Sequence, residues 1–162
     1  MIVGVLGDTH LPRGSRALPE ECLRRLRQAD AILHTGDHSS LASFDALRAL
    51  GPPVHAVHGN VDEPALRALL PAELVLELAG ARIAVTHDPG PRAGREARLA
   101  ARFRGCDAVV YGHTHQPQAE LHEGTWILNP GSPTERRRSP SRSMLLLRIA
   151  DGRLRPSLIE LP

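Results

Sequence analysis

Short apolar runs recur along the chain, and most of them run straight into a glycine-led polar cluster. Residues 2–6, 31–34, 54–57, 108–111 and 125–128 are four or five residues long, rich in Val, Ile and Leu. That is the length and composition of strands buried on both faces. Between them, Leu18, Cys22, Leu26 and Ala29 fall on one stripe with Pro19 near the first turn, which predicts a helix over residues 18–29. Leu41, Phe44 and Leu47 predict a second helix over residues 40–50, with Ser40 as its N-cap. A helix is expected from Pro64 onward, and a basic one over residues 92–104. Two stretches alternate around short turns: residues 74–86 around Ala79–Gly80, and residues 144–161 around Asp151–Gly152. Both predict hairpins. The chain thus begins as βαβαβ and ends rich in strands, without a linker or repeat. One domain over residues 1–162 is expected, built of two sheets packed face to face with helices outside.

Composition narrows the partners more than the fold. At 162 residues, 41% hydrophobic and 23% charged, the chain has the profile of a soluble domain large enough to bury its own core. No run is long enough to span a bilayer, and the first residues read as a strand rather than a leader, so a cytoplasmic protein with no membrane partner is expected. Cys22 and Cys106 have no paired spacing and read as core residues. The formal net charge is +2, and all twenty basic residues apart from histidine are arginine. With aromatics at 2%, a nucleic-acid surface built on stacking is not expected.

The polar clusters carry the chemistry. In order they read Gly-Asp-Thr-His (residues 7–10), Gly-Asp (36–37), Gly-Asn-Val-Asp (59–62), Thr-His (86–87), Gly-His-Thr-His (112–115) and Asn-Pro-Gly-Ser (129–132). Ends of strands are where open α/β sheets bind ligands. Asp8, His10, Asp37, Asn60, His87, His113 and His115 offer two carboxylates, an amide oxygen and four imidazoles. Two divalent cations need such a set to hold a phosphate ester and stabilise an in-line displacement. Mixed imidazole and oxygen donors favour Mn, Fe, Zn, Ni or Co over Ca or Mg, and the lack of cysteine ligands argues against structural zinc. If strand geometry persists, Asp8 and His10 leave their strand on one side, as do His113 and His115.

On these motifs the chain resembles the metallophosphoesterase (calcineurin-like phosphoesterase) superfamily over nearly its whole length, and within it the small bacterial and archaeal phosphodiesterases. The resemblance implies an α/β fold of four layers, an αββα sandwich of two mixed sheets with the metals at the strand ends. It implies that Asp8, His10 and His115 bind one metal, that Asn60, His87 and His113 bind the other, and that Asp37 bridges them. A hydroxide between the metals would attack phosphorus, with Asp37, Asn60 and His113 also assigned to catalysis. Two transition-metal ions are implied, Mn foremost, and a homo-oligomer (dimer or tetramer) by analogy. Asn-Pro-Gly-Ser would help close the loop wall beside the site.

Two positions depart from the pattern. Val61 stands where many larger relatives have a histidine that protonates the leaving oxygen, so substrates with good leaving groups should suffer least. Asp88 follows His87 where glycine is usual, adding a carboxylate near the second metal. Around the ligands, His34 and His58 are candidates to orient them, His38 to reach substrate phosphate, and Asp62 either to cap the following helix or to support a ligand. Arg136, Arg137 and Arg138 read as a solvated loop or a phosphate contact. The function expected is a metal-dependent phosphodiesterase acting on small phosphoester substrates. The alternatives are a phosphomonoesterase or nucleotide phosphatase on the same site, or a non-catalytic scaffold like the retromer subunit of this fold.

Overall fold

The computed structural model describes all residues, Met1–Pro162. Ten strands and four helices follow one another as β1 (Ile2–Leu6), α1 (Glu20–Arg27), β2 (Ala31–His34), α2 (Leu41–Arg48), β3 (Val54–Ala56), α3 (Pro64–Leu69), β4 (Glu73–Leu78), β5 (Ala81–Thr86), α4 (Arg95–Arg102), β6 (Ala108–Tyr111), β7 (Gln118–His122), β8 (Thr125–Asn129), β9 (Arg142–Ala150) and β10 (Arg153–Leu161). They form two five-stranded sheets of order β10-β9-β1-β2-β3 and β4-β5-β6-β8-β7. Each sheet is mixed: β1, β2 and β3 run parallel, as do β5, β6 and β8, while the hairpin strands run antiparallel. The expected four-layer αββα sandwich is what forms.

The two-residue period of each strand sorts its side chains between the layers. Val3, Val5, Ala31 and Leu33 meet Ile83, Val85, Ala108, Val110 and Leu145 in the core between the sheets. The residues of opposite parity, Leu6, Ile32, Met144 and Leu146, pack instead with Cys22 and Leu26 of α1 and Leu47 of α2. On the far side Ala84, Val109, Tyr111 and Ile127 receive Leu99 and Phe103 from α4 and its C-cap. Both faces are therefore buried, which is why these strands read as unbroken apolar runs. Gly4 lets α1 lie close: a Cβ there would stand 2.8 Å from Leu26 Cδ2. Leu26 is fully buried, so truncating it to alanine is expected to cost about 2–5 kcal/mol.

The helices are shorter than the sequence pattern predicts. Helix α1 starts at Glu20 because Pro19 keeps an extended ψ of 144°, and Leu18, preceding a proline, is biased the same way. Glu20 and Glu21 then lie at its positive end and Arg24, Arg25 and Arg27 at its negative end. Helix α4 starts only after Gly94, in the left-handed region at φ 64°. Ser40 caps α2 as expected, accepting from Ser43 N at 3.2 Å, and Glu63 Oε1 accepts from Leu41 N at 2.7 Å on the same first turn. Both expected hairpins form, with positive φ at Ala79, Gly80, Asp151 and Gly152. Strand β7 was not expected from the sequence. It is an edge strand of mixed polarity joined to β8 by Glu123 and Gly124, again with positive φ.

Candidate metal centre

All six motif clusters meet at one end of the sandwich, at the C-terminal ends of β1, β2, β3, β5, β6 and β8. The first two zip together: Asp8 N donates to Gly36 O, His10 N to Asp37 O and Leu11 N to His38 O, at 2.9–3.0 Å. The expectation that Asp8 and His10 share a side through strand alternation is not what brings them together. The strand stops at Leu6, and Asp8, His10, Asp37, His113 and His115 all have left-handed backbones, with φ between 46° and 67°. Asp and His tolerate that region better than most residues. Left-handed residues in three loops, rather than two strand ends, therefore aim these side chains inward.

The donor atoms converge. His10 Nε2 lies 3.2 Å from His115 Nε2, and His115 Nε2 lies 3.4 Å from Asp8 Oδ1. Beside this group, His87 Nε2 lies 3.4 Å from Asp37 Oδ2 and 3.0 Å from Asn60 Oδ1. His113 Nδ1 completes it, 3.1 Å from Asn60 Oδ1 and 3.3 Å from His87 Nε2. Asp37 Oδ2 is also 3.8 Å from His10 Nε2, so this carboxylate faces both groups. Asp8, His10 and His115, and likewise Asp8, Asp37 and His87, each form a cluster able to hold a metal ion.

The hydrogen bonds settle which ring nitrogens are free. His87 Nδ1 donates to Thr35 O at 2.8 Å and His115 Nδ1 to Glu135 O at 3.3 Å, so their Nε2 lone pairs face the centre. Ligands bound at about 2.1 Å with bond angles near 90–110° stand about 3.0–3.4 Å apart. All but one of the separations above fall in that range. Lone pairs crowded so closely repel unless a proton or a metal cation lies among them, and with Nδ1 of His87 and His115 donating outward the donor set fits divalent metal.

Electrostatics divides the donors. Asp8 is fully buried, and burial pushes its carboxyl up to about 8 against the pull of His87. Burial also works against the Asp37 carboxylate, but His87 and the Val61 N–H outweigh it and hold Asp37 at about 2. His115 is held down at about 4 by burial and the Arg137 charge, and His10 is lowered chiefly by burial. Lowered pKa values keep His10 and His115 neutral, as ligation requires, whereas Asp8 and His87, the latter raised against burial by the Asp37 and Asp8 carboxyls, would each give up a proton to a bound cation.

The remaining residues named from sequence fall in several places. Asp62 is buried and does not cap α3, whose N-cap is Glu63. Its carboxylate accepts from Asp37 N at 3.1 Å, Gly59 N at 2.7 Å and Ser39 N at 2.6 Å, tying two ligand loops together. His34 lies on the helix-facing parity of β2. Its Nδ1 accepts from Gly36 N at 3.1 Å, so its Nε2 donates to Thr9 Oγ1 at 3.2 Å. His38 is buried, stacked on His34 with ring centroids 3.5 Å apart, and lines an apolar groove between α1 and α2. His58 and Asp88 line a cleft of about 550 Å³ that also contains Asn60, His87 and Arg67. The Asp88 carboxylate accepts from Gly90 N at 2.8 Å, closing its own turn. Val61 is 47% exposed at the rim.

Arg67 and Thr134 had no sequence signal, whereas Asn129 and Ser132 belong to the Asn-Pro-Gly-Ser motif expected beside the site. Arg67 donates to the carbonyls of Asn60 and Asp62, clamping that loop. Ser132 Oγ donates to Asp8 O at 2.8 Å and Thr134 Oγ1 to Thr9 O at 2.8 Å, fixing the first loop from the Asn-Pro-Gly-Ser side. Asn129 Nδ2 holds Gly112 O at 3.2 Å.

Against known proteins, the model of the calcineurin-like phosphoesterase superfamily domain matches residues 1–152. The chain belongs to that superfamily. A probable metallophosphoesterase of Methanothermobacter thermautotrophicus is 34% identical over 99% of this chain and 92% of its own length. Another, from Methanocaldococcus jannaschii, is 35% identical over 93% of this chain and 77% of its own. Among solved structures, wild-type Vps29 of Entamoeba histolytica complexed with Zn²⁺ is 28% identical, with a TM-score of 0.78 over 99% of both chains. Membership of the superfamily makes a metal-dependent hydrolase the expected class, and the clusters at the strand ends are candidate metal sites.

Proposed function

We propose that the protein is a phosphodiesterase acting on small phosphodiesters at a two-metal centre. Asp8, His10 and His115 would hold one ion, Asn60, His87 and His113 the other, and Asp37 both. The convergence of all seven donors, with the Asp37 carboxylate facing each group, carries the reading. Two divalent cations, with Mn²⁺ the first to try, would supply the charge that draws in a phosphate ester and makes attack by water on phosphorus feasible.

The chain's own part is to aim and hold. Thr35 and Glu135 fix the two imidazole tautomers through their carbonyls, and Asp62 and Arg67 fix the loops that carry Asp37 and Asn60. Five of the seven donors are buried, while Asn60 and His113 stand exposed at the mouth, where a substrate would enter. With Val61 at the rim, that position offers no imidazole to protonate the leaving oxygen, which favours esters whose leaving groups depart as stable anions. The scaffold alternative is consistent with the likeness to Vps29, but nothing in the donor set favours it.

Metal-stripped protein would be assayed on bis-p-nitrophenyl phosphate and p-nitrophenyl phosphate after adding back Mn²⁺, Ni²⁺, Zn²⁺ or Mg²⁺, with Asp37→Ala as control. Diester turnover that requires metal and vanishes in the variant supports the proposal. Preferred turnover of the monoester would make the protein a phosphomonoesterase. Metal binding with no turnover of either ester would leave the scaffold.

A further inference from the structure

A second feature adjoins the metal centre without belonging to it. The loop after Asn-Pro-Gly-Ser and the loop after β1 enclose a basin of about 840 Å³ lined by Arg13, Arg16, Arg136, Arg137 and Arg142. Glu135 is the single acidic side chain on its wall. That carboxylate accepts from Arg16 at 2.6 Å and Arg13 at 3.1 Å and lies 3.4 Å from Arg137, so it organises the arginines but cannot neutralise them all. Arg136 and Arg142 donate only to the backbone oxygens of Pro140 and Pro162. The side chains of Arg13 and Arg137 remain 70% and 52% exposed, with donors turned to solvent.

The basin meets the first donor group through two residues of its wall: Glu135 O receives His115 Nδ1, and Thr134 Oγ1 donates to the backbone oxygens of Asp8 and Thr9. Arg137 Nε lies 3.4 Å from Glu135 Oε2, and the same carboxylate oxygen lies 3.7 Å from His115 Nδ1. Converging guanidinium forks match the oxygens of a phosphoryl group. The basic surface does not continue as a track along this sheet: Arg148 pairs with Ile2 at the opposite end of β1 from the site.

We propose that the basin recognises a second phosphoryl group, so that the substrate is a small diester carrying one phosphate besides the one that reacts. The catalytic half of this inference rests on the phosphodiesterase reading above; the binding half does not.

Two chromogenic probes separate the cases: thymidine 5′-(p-nitrophenyl phosphate) and the same compound with a 3′-phosphate. Each turnover adds water across the phosphorus–oxygen bond to p-nitrophenol and releases p-nitrophenolate, a proton and the thymidine nucleotide. Two partly exposed arginine contacts should raise kcat/KM for the 3′-phosphorylated probe about tenfold. That ratio should fall to about one in Arg136→Gln/Arg137→Gln. A ratio near one in the unaltered protein, or an unchanged ratio in the variant, would overturn the proposal, and being internal, it is insensitive to how much variant folds. Calorimetric titration of the metal-loaded protein with thymidine 3′,5′-bisphosphate and with thymidine 5′-monophosphate gives a readout without turnover. The bisphosphate should bind about tenfold tighter, and the double variant should erase the difference. If neither probe turns over, the phosphodiesterase reading fails by itself and the titration alone decides the basin: equal affinities for the two nucleotides would refute it.

Discussion

Removing the Asp62 carboxylate should loosen the metal centre without touching a metal ligand. Asp62 is 3% exposed, and its two oxygens accept three backbone N–H groups, those of Asp37, Ser39 and Gly59. Two of the three belong to the Asp37 loop and one to the loop that carries Asn60. In Asp62→Ala all three donors lose their partner at once. A buried donor left unpaired costs about 1–3 kcal/mol. Water entering the space of the lost carboxylate would recover part, so a loss of about 3–5 kcal/mol is expected. Asp62→Asn keeps the shape and one acceptor oxygen but turns an NH₂ toward backbone donors, so about half that loss is expected. Against a total stability of about 5–15 kcal/mol for a domain, either change is readily measured. The assay is equilibrium unfolding in guanidinium chloride with chelator present, so that metal linkage does not enter, with the slope checked for constancy. Metal titration of the folded variants is the second readout, and a 10- to 100-fold weaker affinity is expected for a lost supporting contact. If Asp62→Ala costs under about 1 kcal/mol and binds metal as tightly as the parent, the carboxylate is not what joins the two loops.

Other outcomes follow from the same geometry. Metal at about a hundred times its dissociation constant should stabilise the fold by about 2.7 kcal/mol, raising the Tm by about 5–10 °C; a Tm indifferent to chelator would count against a metal centre. Val61→His places an imidazole at the exposed rim, and should speed diesters of poor leaving groups about tenfold or more while barely changing p-nitrophenyl esters; equal effects on both would dissociate that position from leaving-group protonation. Burial pushes the Cys22 thiol up to about 12 and raises Cys106 as well. A raised thiol pKa leaves the unreactive protonated form dominant at all pH values below it, so at pH 8 only about one Cys22 in ten thousand is thiolate. Native protein should therefore leave Ellman's reagent nearly unreacted at pH 8, and denatured protein should release close to two equivalents; rapid reaction of the native form would show that the packing over Cys22 or Cys106 opens.

The apolar runs made the strands legible because both faces of each central strand are buried, so no polar residue interrupts them. Strand β7 escaped notice for the converse reason: at a sheet edge none of its five residues is buried, so polar Gln118, Glu120 and His122 alternate with only Ala119 and Leu121 as apolar pattern. Helix ends were misplaced where backbone geometry overrides periodicity, as at Pro19 and Gly94. In the site the residue types were legible and their supports were not. Seven donors in ordered motifs can be picked out from sequence because few other chemistries need four imidazoles with two carboxylates. No such signature marks Arg67 or Thr134, whose hydrogen bonds go to backbone carbonyls that many side chains can reach.

The sharpest difference concerns how the ligands are aimed. Strand alternation suggested one mechanism, and the left-handed backbones at Asp8, His10, Asp37, His113 and His115 show another. Such conformations cost of order 1–3 kcal/mol each when the residue is not glycine, and they persist only where the surroundings over-determine them. Here the surroundings are visible: the Asp62 carboxylate, the Ser132 and Thr134 hydroxyls, and glycines at which no side chain would fit. A Cβ on Gly59 would stand 2.0 Å from Asp37 Oδ1, and one on Gly112 would stand 2.6 Å from Thr35 Oγ1. The glycines of these motifs therefore serve the proposed metal centre as much as the histidines do, by letting the loops approach until their donor atoms meet.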